Sequence, residues 1–462
     1  MKRFLYSEYG VRSLGGTNGY QVVNAYVTNY PNQFYKVPND GSAQLYPKQG
    51  DVLSYGSSSP GHTAIVKSVT SQSSGSATVQ LIEQNASSTG LTYQDFSSWQ
   101  FQNGIDNSST DPNTVTGWLT PLGWKTNSPA DSTSSQISAM AASSSTNVWA
   151  VGHEIPTGAN VPVTYNWNGT SWTKIKPTAY GTASPDELLG VAVDSSGNAW
   201  AVGDDYSYPN VQTLAYEWNG SSWVHKTSDN PTSTYTNQLN SVSTDNSGDV
   251  YAAGVYYPTG TSGQPLIEKW NGTKFAQQTI SNPSGCSGGT LYGISVYSAT
   301  NIWASGNEGC GSSVEYVIYH YNGTSWTSTV GLGGGSYSTT LFGIKAVSST
   351  EAWAAGRKLG AAWSTIMLHY ASGSWIEDTS ASMSANLTSI DADSPNDVWA
   401  VGGSSGGNLL TLHYNGSSWA KVSTPSVSSP KVLNGVTVNS GYAWTGGYTG
   451  SSTFSPLVLQ SF

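Results

Sequence analysis

Charge is scarce in this chain of 462 residues: 17 Lys and Arg and 27 Asp and Glu make up 10% of it, leaving a net charge of -10. Nucleic acid is thereby excluded as a partner, because phosphate binding requires clustered cations. Residues 1–122 hold 6 basic and 7 acidic side chains, so the excess acid belongs almost wholly to the remainder. Long apolar runs are missing too: no stretch approaches about 18 residues, so no transmembrane helix is expected. Met1 to Gly10 lacks the apolar core of a signal peptide. Thiols number two, Cys286 and Cys310, and none precedes residue 286. Neither a D-x-D-x-D-G calcium loop nor a paired His/Cys cluster occurs, so no metal and no cofactor are expected.

What the chain has in quantity is glycine, 52 residues, and aromatic side chains at 12%, which suits a mainly β protein rich in turns. A Ser, Thr, Asn and Gly-rich surface poor in Lys is typical of secreted bacterial proteins, so an export signal upstream of Met1 is expected.

Seven copies of one pattern occupy the last three-quarters, typified by V/A-W-A-V/A-G followed by W/Y-N-G-x-S-W. Their anchors Trp149, Trp200, Tyr251, Trp303, Trp353, Trp399 and Trp444 recur every 45 to 52 residues, the period of a four-stranded propeller blade. Within one copy, Gly190 to Val193 and Ala199 to Gly203 are β-rich runs across a tight Asp194 to Asn198 turn. Thr213 to Trp218 then alternates apolar and polar residues, Asn219-Gly220 offers a turn with left-handed backbone, and Trp223 opens a fourth strand. The turns at Asn168, Asn219, Asn271, Asn322 and Asn415 also match the N-glycosylation pattern, but a turn in register with the repeat is explained by its backbone geometry.

The seventh copy ends at Phe462 after three strands, whereas Gly123 to Thr126 stands alone ahead of the first. Trp124 precedes Trp149 by the same 25 residues that separate Trp419 from Trp444, so residues 123–126 are expected to complete the seventh blade. The expected organisation is a small α+β domain over 1–122 and a seven-bladed β-propeller over 123–462.

Period and placement of the fourth-strand Trp resemble propellers of the kelch and galactose-oxidase kind. The usual double glycine survives only as Gly402-Gly403 and Gly446-Gly447, and an N-G-x-S turn replaces the usual acidic one. Such propellers serve as binding platforms or as enzymes.

Loops between blades, and between second and third strands, share one face of a propeller. Here they are long and dissimilar, as in His153 to Val161, Tyr206 to Val211 and Asn282 to Thr290, and this face is expected to carry recognition of a glycan or protein. Cys286 and Cys310 fall in two such loops of blade four, so a disulfide is reasonable. His320, His369 and His413 share one third-strand position, too far apart for one metal, and are expected to be surface strand residues.

Chemistry is sought in residues 1–122. Pro47-Lys48-Gln49-Gly50-Asp51-Val52, Gly61-His62-Thr63-Ala64-Ile65-Val66 and Ile82-Glu83-Gln84-Asn85 follow in order as short strands with turns before them. Glu83 and Asn85, two apart, would share one side of a strand facing His62. This series resembles the CHAP domain, a papain-like fold of cysteine- and histidine-dependent amidohydrolases and peptidases acting on peptidoglycan. The resemblance implies that His62 activates a cysteine thiolate and that Glu83 and Asn85 orient its imidazole. It also implies a cysteine at the start of the first helix, ahead of a segment like Lys2 to Tyr6. None stands there, and Ser7 is too far displaced to replace it. A truncated or late-starting hydrolase domain is the expectation.

Three readings stay open. The first is a secreted cell-wall amidohydrolase or endopeptidase whose propeller binds peptidoglycan or a surface glycan or protein. The second is a binding propeller with a non-catalytic appendage. The third is a glycosidase or lyase within the propeller, for which only scattered pairs such as Asp186-Glu187 and Asp204-Asp205 are available.

Overall fold

The computed structural model describes residues 21–29, 34–39, 47–56, 62–73, 76–82, 91–98, 100–101, 115–121, 123–156, 158–178, 185–206, 210–331, 338–360, 362–404 and 406–461. Two compact units emerge: residues 1–125 with 413–424 and 461–462, and residues 126–412 with 425–460.

The first unit is built on an antiparallel sheet of seven strands in the order Phe34–Pro38, Val115–Pro121, Val52–Tyr55, His62–Ser73, Ser76–Ile82, Leu91–Ser97 and Gln100–Phe101. One strand is longer than the sequence suggests: His62–Ser73 runs on for twelve residues as one arm of a hairpin. Helix Val22–Asn29 covers one face, packing Val22, Val23 and Tyr26 on Phe34, Val52 and Leu119. Alternation sends Leu53, Tyr55, Ala64, Val66 and Trp118 to the other face, where they form a second apolar cluster.

Seven four-stranded antiparallel sheets follow among the described residues, one per repeat. Their innermost strands are Ser135–Ser144, Glu187–Val193, Asn237–Thr244, Cys286–Ser298, Ser338–Ala346, Ala385–Ser394 and Lys431–Asn439. Each lies beside the next, and Lys431–Asn439 lies beside Ser135–Ser144, so the ring closes as a β-propeller. The outermost strand of the seventh sheet is Trp124–Thr126. Just beyond it, the Asn127 N–H donates to the Val458 carbonyl at 2.8 Å and the Val458 N–H to Ser128 Oγ at 2.9 Å.

Three devices explain the repeated residues. First, every innermost strand has a register shift at one equivalent position, skipping Ser138, Leu189, Asn240, Tyr292, Phe342, Thr388 and Asn434 in turn. These bulges bring a backbone carbonyl onto the glycine of V/A-G in the second strand. A Cβ at Gly152, Gly203, Gly254, Gly306, Gly356, Gly402 or Gly447 would stand 1.8–2.0 Å from that oxygen, so no side chain fits.

Second, the anchor Trp of one blade inserts into the aromatic hairpin of the next. Trp149 meets Trp218 and Trp223 at 5.0 Å each, Trp200 meets Trp270 and Phe275, Trp303 meets Tyr370 and Trp375, and Trp444 meets Trp167 and Trp172 across the closure.

Third, the Asn-Gly turns work differently from the expectation that both residues take left-handed backbone. Only the glycine does, with φ of 93° at Gly169 and 92° at Gly220. The asparagine acts through its side chain: Asn219 Oδ1 accepts from the N–H groups of Ser221 and Ser222, and Asn168, Asn271, Asn322 and Asn415 do the same at their turns.

The third-strand histidines are not surface residues of one kind. His320 stacks on Trp303 at 3.7 Å and His369 on Trp353 at 3.9 Å, each on its own blade's anchor, while His413 is buried at 1% exposure. Imidazole supplies a flat ring to cover the indole, which a strand residue beside it is placed to do. The two cysteines are likewise strand residues, not loop residues: Cys286 begins the inner strand of blade four and Cys310 ends the second, directly opposite in the ladder and joined as a disulfide. Much of the supposed Asn282 to Thr290 loop is therefore strand.

Candidate functional site

In the first unit, the P-K-Q-G-D-V segment is scaffold that places His62. Gly50, at φ 93°, turns the chain so that its N–H donates to the Val66 carbonyl at 2.9 Å, and the Val66 N–H returns a bond to the Asp51 carbonyl at 2.9 Å. The buried Asp51 carboxylate accepts from the Lys48 N–H at 2.9 Å and from Thr120 Oγ1 at 3.3 Å. Burial pushes this carboxyl up to about 7, against the pull of Lys48 and Thr120. The three strands thus tied together set the register that puts His62 opposite Tyr55.

His62 is half-buried at the head of its strand, its ring 5.8 Å from that of the buried Tyr55 and tilted by 55°. Pairing and alternation place it on the face of Leu53, Tyr55 and Ala64, opposite the face covered by helix Val22–Asn29. The neighbouring strand is Ser76–Ile82, with Ile82 opposite Ile65. Glu83 and Asn85, expected to orient His62, lie outside the described residues, as does Ser7. Both cysteines are consumed by the disulfide of blade four, 24 residues apart in sequence.

Residues 3–85 match the CHAP domain family, a stretch that includes His62, Glu83 and Asn85. That portion of the chain carries a CHAP domain, and the repeats form a β-propeller. No curated protein matches the sequence. Among solved structures, one of YCF48 bound to D1 peptide is similar at 14% identity over 73% of this chain and 94% of that one, with a TM-score of 0.46. The WD40 propeller domain of Doa1 is similar at 11% identity over 74% and 97%, TM-score 0.46. YjhT is similar at 13% identity over 64% and 99%, TM-score 0.41.

In the propeller, the carboxylates read as scattered pairs come together on the long-loop face of blade two. Glu187 and Asp204 are cross-strand partners. Asp186 and Asp205 share a hydrogen bond, and burial followed by the charge of Asp205 pushes Asp186 up to about 7. Burial and then Glu187 raise Asp204 to about 7 as well. Amides complete the group: Asn160 donates to Glu187 Oε1 and Gln238 to Asp204 Oδ2, both at 2.6 Å. His153 stands 3.6 Å from Glu187, and its imidazole is held below its ordinary value by burial, with Glu187 opposing. Among the described residues no group of His, Cys, Asp and Glu is arranged to hold a metal ion, and no helix is long and apolar enough to cross a membrane.

The ring encloses a central cavity of about 830 Å³ walled by the seven innermost strands. Around it the bulge residues form a girdle joined blade to blade. Asn240 Nδ2 donates to the Leu291 carbonyl at 2.7 Å, Thr388 Oγ1 to Leu433 at 2.8 Å and Asn434 Nδ2 to Ile137 at 2.7 Å. In blades four and five the same positions carry Tyr292 and Phe342, rings 5.1 Å apart, a pair no repeat signature announces.

Proposed function

We propose that this protein acts at the bacterial cell wall after export, with the propeller as the binding module for peptidoglycan or for a surface glycan or protein. The observation that carries the reading is the CHAP match over residues 3–85, whose members cleave peptidoglycan amide bonds. In that chemistry His62 would take the proton of a cysteine thiol, and later deliver it to the leaving amine, while Glu83 and Asn85 hold the ring. These 462 residues supply no thiolate for it, since Cys286 and Cys310 are joined to each other. The propeller is therefore the part of this chain proposed to function, and peptidoglycan turnover by the chain alone is not expected. Loss of the nucleophile from such a constellation costs on the order of 10⁶ in turnover.

Purified sacculi carrying a covalent dye test both halves. The chain is expected to co-sediment with them and to release no dye. Release that disappears in His62→Ala would overturn the proposed inactivity. Failure to co-sediment would overturn the binding role.

A further inference from the structure

Around the cavity mouth, one cation is conspicuous by its setting. Arg357, in the second strand of blade five, has its guanidinium 5.2 Å from the centre of the Phe342 ring and 4.3 Å from that of Trp363. Phe342 in turn meets Tyr292, and both line the cavity. No carboxylate among the described residues pairs with Arg357, and its buried Nε has no hydrogen-bond partner. The other long-loop-face cations with close acidic neighbours contrast with it: Lys174 meets Asp131 at 2.7 Å, and Lys358 meets Glu377. Burial raises the Tyr292 hydroxyl above the ordinary phenol value, with the charge of Arg357 among the influences pulling the other way.

We propose that Tyr292, Phe342, Arg357 and Trp363 form a recognition site for a saccharide bearing a carboxylate, seated at the long-loop mouth of the central cavity. Planar rings offer apolar faces to the C–H side of a pyranose, and a ring-stacked guanidinium keeps its edge donors for a carboxylate. Of the other five girdle residues, Ser138, Asn240, Thr388 and Asn434 are polar and suit a hydroxylated ligand, and only Leu189 is apolar. An unpaired guanidinium argues against a cationic ligand. The proposal deepens the binding role given above to the propeller and rests on it.

A pair of sugars that differ only by a lactyl carboxylate, N-acetylmuramic acid and N-acetylglucosamine, provides the test, with the dipeptide alanyl-alanine as a carboxylate lacking a sugar. Calorimetry on the full chain should show N-acetylmuramic acid binding about tenfold tighter than N-acetylglucosamine, the affinity equivalent of a charge-assisted hydrogen bond. Arg357→Gln should erase that preference and Arg357→Lys should restore only part of it. Phe342→Leu should weaken both sugars while keeping the preference. Melting curves matching the parent would show that each variant is folded. Equal affinity for the two sugars, a preference that survives in Arg357→Gln, or dipeptide binding as tight as N-acetylmuramic acid would overturn the proposal. Sacculi retained equally by the parent and Arg357→Gln, with neither sugar bound, would sink this site and leave the binding role standing. Sacculi not retained at all would remove both.

Discussion

Cys286 and Cys310 face each other across the first two strands of blade four, Cα atoms 4.0 Å apart, at the end of the hairpin nearest the long-loop face. A disulfide here staples the start of one strand to the end of the next. Closing 24 residues in the unfolded chain contributes about 3 kcal/mol in the chain-entropy account. Cys286→Ser/Cys310→Ser should lower the melting temperature, and thiol titration of the non-reduced, denatured parent should find none. Two titratable thiols would remove the bridge and with it one argument for an oxidising compartment.

The seven V/A-G glycines should be intolerant of even a methyl group. Gly306→Ala would set Cβ 2.0 Å from the Thr290 carbonyl, a clash with backbone that cannot swing away, and should cost about 1–3 kcal/mol or more. Gly248→Ala meets nothing within 4 Å and should cost only the left-handed backbone penalty of roughly 1 kcal/mol. Equal denaturation midpoints would show that the bulge does not impose the glycine.

Closure of the ring should depend on residues 124–128. Chains beginning at residue 119 and at residue 129 differ by the outer strand Trp124–Thr126 and by the Asn127 and Ser128 bonds to Val458. The shorter chain should melt at a clearly lower temperature, because it leaves Ser455–Ser461 as an unpaired edge. Identical melting curves would remove Trp124–Thr126 from the stability of the propeller.

Stability should fall as pH rises from about 4 to about 8, between the unfolded and folded values of the buried carboxyls. Glu268 is fully buried and pushed up to about 8 by that burial, against a hydrogen bond from Ser228, and Asp51, Asp186 and Asp204 are each raised to about 7. A carboxyl raised in the folded state contributes stability that is complete below its unfolded value and is lost as pH climbs through its folded one. Asp131 works in the opposite sense. Burial would raise it, but hydrogen bonds from Lys174 and Tyr165 overcome this and lower it to about 2, so its contribution is lost only as pH falls through that value. The melting temperature should therefore peak near pH 4, and Glu268→Gln should make the fall between about pH 4 and 8 shallower. A slope unchanged in Glu268→Gln would show that this carboxyl stays ionised when buried.

Blade count, strand order within a repeat and the turn residues could be read from the chain because they depend on neighbours. Asn219 and Gly220 close a turn with atoms two and three residues away, and the 45 to 52-residue period repeats a hairpin pair that any window of sequence displays. The pairing of the strand that begins at His62 was legible in the same way, from the order of G-D-V and G-H-T-A-I-V, since Gly50 and Asp51 bond to Val66 within one local hairpin.

Contacts made one blade away were decided only by the tertiary structure. Trp149 finds Trp218 some seventy residues on, His413 is buried although its repeat-mates lie half-exposed, and Asp186 meets Asp205 once two strands pair. Arg357 finds Phe342 by the same route, through a bulge that turns one residue per inner strand toward the cavity. Such bulges leave no mark in composition beyond a glycine on the partner strand. Side chains separated by a whole blade acquire their partners from ring closure, and that geometry belongs to the assembled sheets rather than to any local run of residues.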